Sequence, residues 1–106
     1  MRVLLDEQLP VGLVPLLQNH DVETVVGRGW AGIKNGELLW RMRGAYDALI
    51  TMDQGIEFQQ DLPDLPFGVL LLRAPSSRIA DLRGLVPAII DALPALAPGQ
   101  IRRVGS

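Results

Sequence analysis

The chain has 106 residues, 48% of them hydrophobic, and no cysteine. This is the composition of one globular domain with its own core, and it excludes a disordered chain, a disulfide framework and thiolate chemistry. Ten basic residues, nine of them arginine, stand against twelve acidic ones for a formal charge of −2, so nucleic-acid binding would have to rest on local arginine patches rather than a net basic surface.

The first predicted strand is Arg2–Asp6. Val3-Leu4-Leu5 is a short apolar run that ends at once in Asp6-Glu7. Leu9, Leu13, Leu16 and Leu17 then recur at helical spacing. Pro10 suits a first helical turn, but Gly12 and Pro15 do not suit an interior, so the helix is expected to start late, near Gly12, or to kink. Asp21–Val26, with its β-branched residues, is the second strand. His20 precedes it and is read as structural or solvent-facing. Gly27–Gly32 lacks the spacing and lysine of a phosphate-binding loop and reads as a turn packed around Trp30. Asn35 fits a helix N-cap, and Glu37 falls in the first turn, where negative charge is favoured. Leu38, Leu39 and Met42 would face the core.

Asp47–Thr51 is the third strand. Its apolar run Ala48-Leu49-Ile50 is bounded by polar residues, as in a strand buried on both faces, and it delivers Asp53 to its carboxyl end. Gln54–Asp61 is polar and reads as a short helix or turn, and Leu62–Pro66 as a loop. Phe67–Leu72 is the fourth strand. Ser76 or Ser77 would cap the last helical region, whose stripe is Ile79, Leu82, Val86, Ile89, Ile90 and Leu93. Gly84 and Pro87 would divide it. Ala97-Pro98-Gly99 then turns the chain into a last strand, Gln100–Val104. This alternation predicts an α/β fold over residues 1–106 as a single domain, with a mainly parallel five-stranded sheet and helices on both faces. No apolar run is long enough to span a bilayer, and the apolar start is too short for a signal peptide. A cytoplasmic location without a membrane partner is the expectation.

Ligands of open α/β sheets bind outside the carboxyl ends of the strands. Asp6 and Asp53 end two strands and Glu37 opens a helix, so the three are expected to form one acidic pocket. Converging carboxylates repel one another unless one is protonated or a cation binds. A hard divalent ion, Mg²⁺ or Mn²⁺, suits oxygen ligands and promotes phosphodiester hydrolysis, which makes RNA or DNA the expected substrate. Arg41 and Arg43, just after Glu37, are candidate phosphate contacts, and Arg73, Arg78 and Arg83 form a second basic group. The same acids allow a response-regulator receiver, with Asp6 and Glu7 as the acidic pair and Asp53 as phospho-acceptor. That reading lacks a lysine near the fifth strand, since Lys34 lies far upstream, and a Ser or Thr ending the fourth, where Leu72 is followed by Arg73-Ala74-Pro75. A third alternative is a non-catalytic interaction domain that keeps the fold.

Several segments, in order, carry a resemblance. They are Leu4-Leu5-Asp6-Glu7 with Leu9-Pro10, Gly29-Trp30-Ala31-Gly32 with Lys34-Asn35-Gly36-Glu37-Leu38-Leu39, Tyr46-Asp47, Thr51-Met52-Asp53-Gln54, Gln59-Gln60 and Pro98-Gly99. Over nearly its whole length the chain resembles the small single-domain PIN-like proteins of bacteria, relatives of VapC toxins. The resemblance implies a three-layer α/β/α fold and a Mg²⁺- or Mn²⁺-dependent ribonuclease site. It also implies the toxin role in a toxin–antitoxin pair, neutralised by a cognate antitoxin, as a homodimer or antitoxin-bound assembly. By position, Asp6 matches the strand-one acid, Asp53 the acid of the Thr-x-Asp motif and Glu37 the helix acid. Gly55 and Asp61 depart from the pattern, where relatives often carry a polar residue and Asn, and no fourth acid is assigned.

Overall fold

The structure is a computed structural model that describes residues 1–17, 19–59 and 61–105. Gln60, part of the predicted Gln54–Asp61 segment, lies outside them. Five strands form one all-parallel sheet: β1 (Arg2–Leu5), β2 (Asp21–Thr24), β3 (Ala48–Thr51), β4 (Gly68–Arg73) and β5 (Ile101–Gly105). Their order is β2-β1-β3-β4-β5. The direction of winding therefore reverses between β1 and β3, where Val3, Leu4 and Leu5 pair with Ala48, Leu49 and Ile50.

The central strands are continuous apolar runs because both faces of the sheet are covered. Side chains alternate across a strand, so each run feeds two cores. Val3, Leu5, Ala48, Ile50, Leu70 and Leu72 pack with Leu13, Leu17, Leu82, Ile89 and Leu93. Leu4, Leu49, Val69 and Leu71 pack on the other face with Leu38, Leu39, Met42, Ile56 and Phe67. The first core is closed by a 3₁₀ segment, Val11–Leu17, and by helices α2 (Ile79–Leu82) and α3 (Val86–Ala92). The second is closed by α1 (Asn35–Met42) and the short 3₁₀ turns Gln54–Phe58 and Leu62–Asp64.

Several boundaries differ from the sequence expectation. The segment after β1 is a 3₁₀ helix rather than a late or kinked α-helix. Pro15 has no N–H to donate back to Val11, and its ring crowds that carbonyl, so tighter turns such as Leu13 N–H to Pro10 O replace the α pattern. β2 stops at Thr24, whose hydroxyl accepts from Gly27 N–H at 2.8 Å and turns the chain. β3 starts at Ala48, because Asp47 instead pins the start of β1: its carboxylate accepts from Arg2 N–H at 2.7 Å. Lys34, not Asn35, occupies the cap position of α1, without a side-chain cap bond. Neither Ser76 nor Ser77 caps α2. Arg78 holds that position, and Ser76 accepts from its N–H at 3.0 Å. Among the described residues, no helix is long and apolar enough to cross a membrane.

Candidate active site

Asp6 and Thr51 fall on the same parity as Leu4 and Leu49, the face covered by α1. The β1–β3 register sets them side by side as the two strands end. Thr51 is fully buried and Asp6 is 5% exposed. The Thr51 hydroxyl donates to Asp6 Oδ2 at 2.6 Å and accepts from Asp53 N–H at 3.0 Å. One side chain thus ties together the ends of both strands. The other oxygen of Asp6 accepts from Glu7 N–H at 2.9 Å.

Asp53 caps the 3₁₀ turn that follows it, with Oδ1 accepting from Gly55 N–H at 2.8 Å. Its Oδ2 accepts from the Asn35 side-chain amide at 2.9 Å, which brings the first turn of α1 to the end of β3. Asn35 is therefore occupied with Asp53 rather than with the helix backbone. Glu7 reaches the glycine-rich loop, where both carboxylate oxygens accept from Gly32 N–H at 3.2 Å. Gly32 holds φ at +83°, a conformation that a side chain would strain.

The acids of this network border one open cavity of about 740 Å³, with Thr51 buried behind them. Asp6, Glu7, Glu37 and Asp53 all contribute to its wall, together with Lys34, Asn35 and Gln59. All three acids singled out in the sequence thus border one space. They are not equally placed. Glu37 is exposed and pairs with Arg41 at 3.7 Å, one turn along α1. Among the described residues, no three acidic or histidine side chains lie close enough together to hold one metal ion.

The site is richer than the sequence suggested. Asn35, Thr51 and Glu7 hold the acids or the loop in place. Thr51 was visible only as the start of Thr-x-Asp, and Asn35 only as a cap. Lys34 contributes to the wall of the same cavity as the acids. Arg41 sits 5.7 Å from the Trp30 ring centre, whereas Arg43, just past the end of α1, lies 5.3 Å from that of Trp40.

Comparison with protein-family models, curated proteins and solved structures returned no match.

Behind the glycine-rich loop, Trp30 meets Tyr46 edge-on at 6.3 Å between ring centres. The Tyr46 hydroxyl donates to Glu23 Oε2 at 2.5 Å. That bond, with Arg28 and Arg2 adding to it, holds Glu23 below the usual carboxylate range. Burial first, and Glu23 second, push the Tyr46 phenol up to about 12. The pair links the edge strand β2 to the segment that enters β3. His20 is held below its usual range by burial and by the chain's amino terminus, and it does not line the cavity.

Proposed function

We propose that the chain is a PIN-like, divalent-metal-dependent ribonuclease of three-layer α/β/α architecture, with the acidic cavity at the β1–β3 switch as its catalytic centre. One observation carries this reading: the hydrogen-bonded network Asn35–Asp53–Thr51–Asp6, built on adjacent strand ends and facing an open cavity. The resemblance to VapC-related proteins supports the toxin role in a toxin–antitoxin pair, with a small antitoxin as partner and a homodimer as the assembled form.

The donor set fits Mg²⁺ or Mn²⁺ in chemistry: hard carboxylate oxygens on a rigid scaffold. Such ions are commonly held by one or two carboxylates, with water and substrate phosphate completing the shell, so a closed cage of three protein ligands is not required. Asp6 and Asp53 would hold the ion, and Glu37 would join them by exchanging its Arg41 partner. When bound, such an ion would supply a more acidic water and a counter-charge for the phosphodiester transition state. The protein's share is positional. Thr51 fixes the Asp6 carboxylate, Asn35 and Gly55 N–H fix Asp53, and Lys34, in the same cavity wall, would offer the substrate phosphate a positive charge. Arg41 and Arg43 extend that attraction along α1.

A second reading keeps one specific observation in its favour. The strand order is that of flavodoxin-like and receiver sheets, which bind at the same β1/β3 switch. Lys34 also shares the cavity with Asp6, Glu7 and Asp53. A receiver would take phosphate on Asp53 from a small acyl phosphate, detected by intact mass, and would not cleave RNA.

The deciding experiment is thermal melting of the wild type, Asp53→Asn and Glu37→Gln with and without Mg²⁺, beside cleavage of single-stranded RNA. A ligand that binds only the folded state raises stability by mass action, about 2.7 kcal/mol at one hundred times its Kd. The wild type should gain in this way, Asp53→Asn should gain far less and lose cleavage, and Glu37→Gln should fall between. Without metal, Asp53→Asn should differ from wild type by under about 1 kcal/mol, because the amide oxygen can still accept from Gly55 N–H and the Asn35 amide can turn. Full metal-dependent cleavage by Asp53→Asn would refute the assignment.

A further inference from the structure

Trp40 lies on α1 between Leu39 and Met42, which are buried, yet it is 66% exposed itself. The core does not use it. The Arg43 guanidinium lies 5.3 Å from its ring centre. Together they border a small second cavity whose wall also includes Gly36 and Gln59. Gly36 and Gln59 belong to the wall of the acidic cavity as well, so the two spaces adjoin. Gly36 adds no side chain to the shared wall, and the Gln59 side chain lies beside it, 3.7 Å from where a Cβ would stand. Gly36 and Trp40 are four residues apart on one helix face, a rise of about 6 Å, comparable to the reach of one nucleotide.

We infer that Trp40, backed by Arg43, is a stacking subsite for one unpaired base of a single-stranded RNA. The placement of the scissile phosphate over Asp6 and Asp53 rests on the nuclease reading above; the subsite itself is a matter of binding. An exposed indole offers a base a flat π-face without regard to sequence, and a neighbouring guanidinium adds cation–π attraction and a counter-charge for the adjoining phosphate. The surroundings favour RNA over a protein partner. Arg43 puts a positive charge beside the ring, and the shared Gly36 and Gln59 wall sets that ring next to the acidic cavity, whose proposed substrate is a single-stranded RNA. A strand anchored there would run past Gly36 into the cavity that holds the acids, with Arg41 and Lys34 near its phosphates.

The test is the affinity of the full chain for a short fluorescent oligouridylate, measured by anisotropy with Ca²⁺ in place of Mg²⁺ so that binding is read without turnover. Trp40→Ala should weaken binding by roughly ten-fold, the scale of one lost base–aromatic stack, while Trp40→Phe retains most of it. Both should melt at the wild-type temperature, since the side chain is outside the core. Arg43→Ala should lower the slope of log affinity against log salt by about 0.7, one single-strand phosphate contact. Equal affinity of wild type and Trp40→Ala, or no oligouridylate binding by the wild type, would overturn the subsite. So would sedimentation showing that the wild type self-associates and Trp40→Ala does not, because the indole would then serve a second copy of the chain. The two readings fail separately. Trp40-dependent binding without Mg²⁺-dependent cleavage keeps the subsite and removes the nuclease. Cleavage with unchanged affinity in Trp40→Ala does the reverse.

Discussion

Thr51 is the residue on which the site's geometry turns, and its side chain is the one least replaceable by an apolar isostere. It is fully buried, and its hydroxyl both donates to Asp6 and accepts from Asp53 N–H. Valine fills the same volume but leaves the buried Asp6 oxygen without its donor. An unsatisfied buried group of this kind costs about 1–3 kcal/mol, more if charged. Thr51→Val should therefore lose at least that much in urea unfolding, and Thr51→Ser should recover most of it. If valine were neutral, Asp6 would have to be finding water or another donor. Asp6 and Asp53 were legible in the sequence because each closes a short apolar run, and the carboxyl ends of such strands are where an open α/β sheet binds its ligands. Thr51 was not, because its partner is set by the register between β1 and β3, which no local pattern states. Asn35 satisfied the cap pattern equally well, and only the arrival of Asp53 from 18 residues away gives it another task.

At the level of elements, apolar spacing located all five strands, and α1 began one residue earlier than an Asn35 cap implies, whereas the 3₁₀ form of several segments was not legible. Val11–Leu17, Leu62–Asp64 and Leu93–Ala95 each contain proline and each form 3₁₀ turns. The connection into β5 shows how far a local reading reaches. Ala97-Pro98-Gly99 was recognisable as a turn, but its fit against a distant loop was not. Gly99 holds φ at +76°, and a Cβ there would collide with the Pro63 carbonyl oxygen. Its N–H donates to Phe67 O at 2.9 Å, at the entrance to β4. Gly99→Ala thus combines strained backbone with a backbone clash that no rotamer relieves. The expected cost is about 2–3 kcal/mol, read as a lower melting temperature. Gly84→Ala is the control, since a Cβ there meets nothing within 4 Å and α-helical geometry follows on either side. Equal melting temperatures for the two variants would mean that the Pro63 loop gives way freely.

On the scale of the whole molecule, alternation of apolar runs and helical segments predicted the parallel sheet, while the order β2-β1-β3-β4-β5 needed the long-range pairing. The same long-range packing fixes how stability responds to pH. Tyr46 is the single tyrosine, so phenolate absorbance follows it alone. It is 4% exposed and bound to Glu23, with its phenol pushed up to about 12 from an ordinary 10.0. A folded-state pKa raised above the unfolded one contributes stability that is complete below pH 10 and disappears as the pH climbs through about 12. Glu23 behaves in the opposite sense. Its pKa is depressed, chiefly by the Tyr46 bond, so its contribution is present above the ordinary value of 4.5 and is lost as the pH falls through its lower folded value. Between these limits His20 adds one step: its lowered folded pKa makes stability fall as the pH drops below the ordinary 6.5, and from there up to pH 10 the fold should be level. The alkaline loss should reach about 2.7 kcal/mol at its limit, two pKa units' worth. Absorbance titration of the folded chain should show Tyr46 still largely protonated at pH 11, and urea-unfolded chain should titrate near 10. Tyr46→Phe removes the phenol, so its stability should change little from pH 9 to 11, and its acid limb should weaken because Glu23 loses its strongest partner and keeps only Arg28 and Arg2. A folded-state midpoint near 10 would mean that the phenol is open to solvent, and β2 would then be held to the sheet by its backbone pairing with β1 and not by this side-chain clasp.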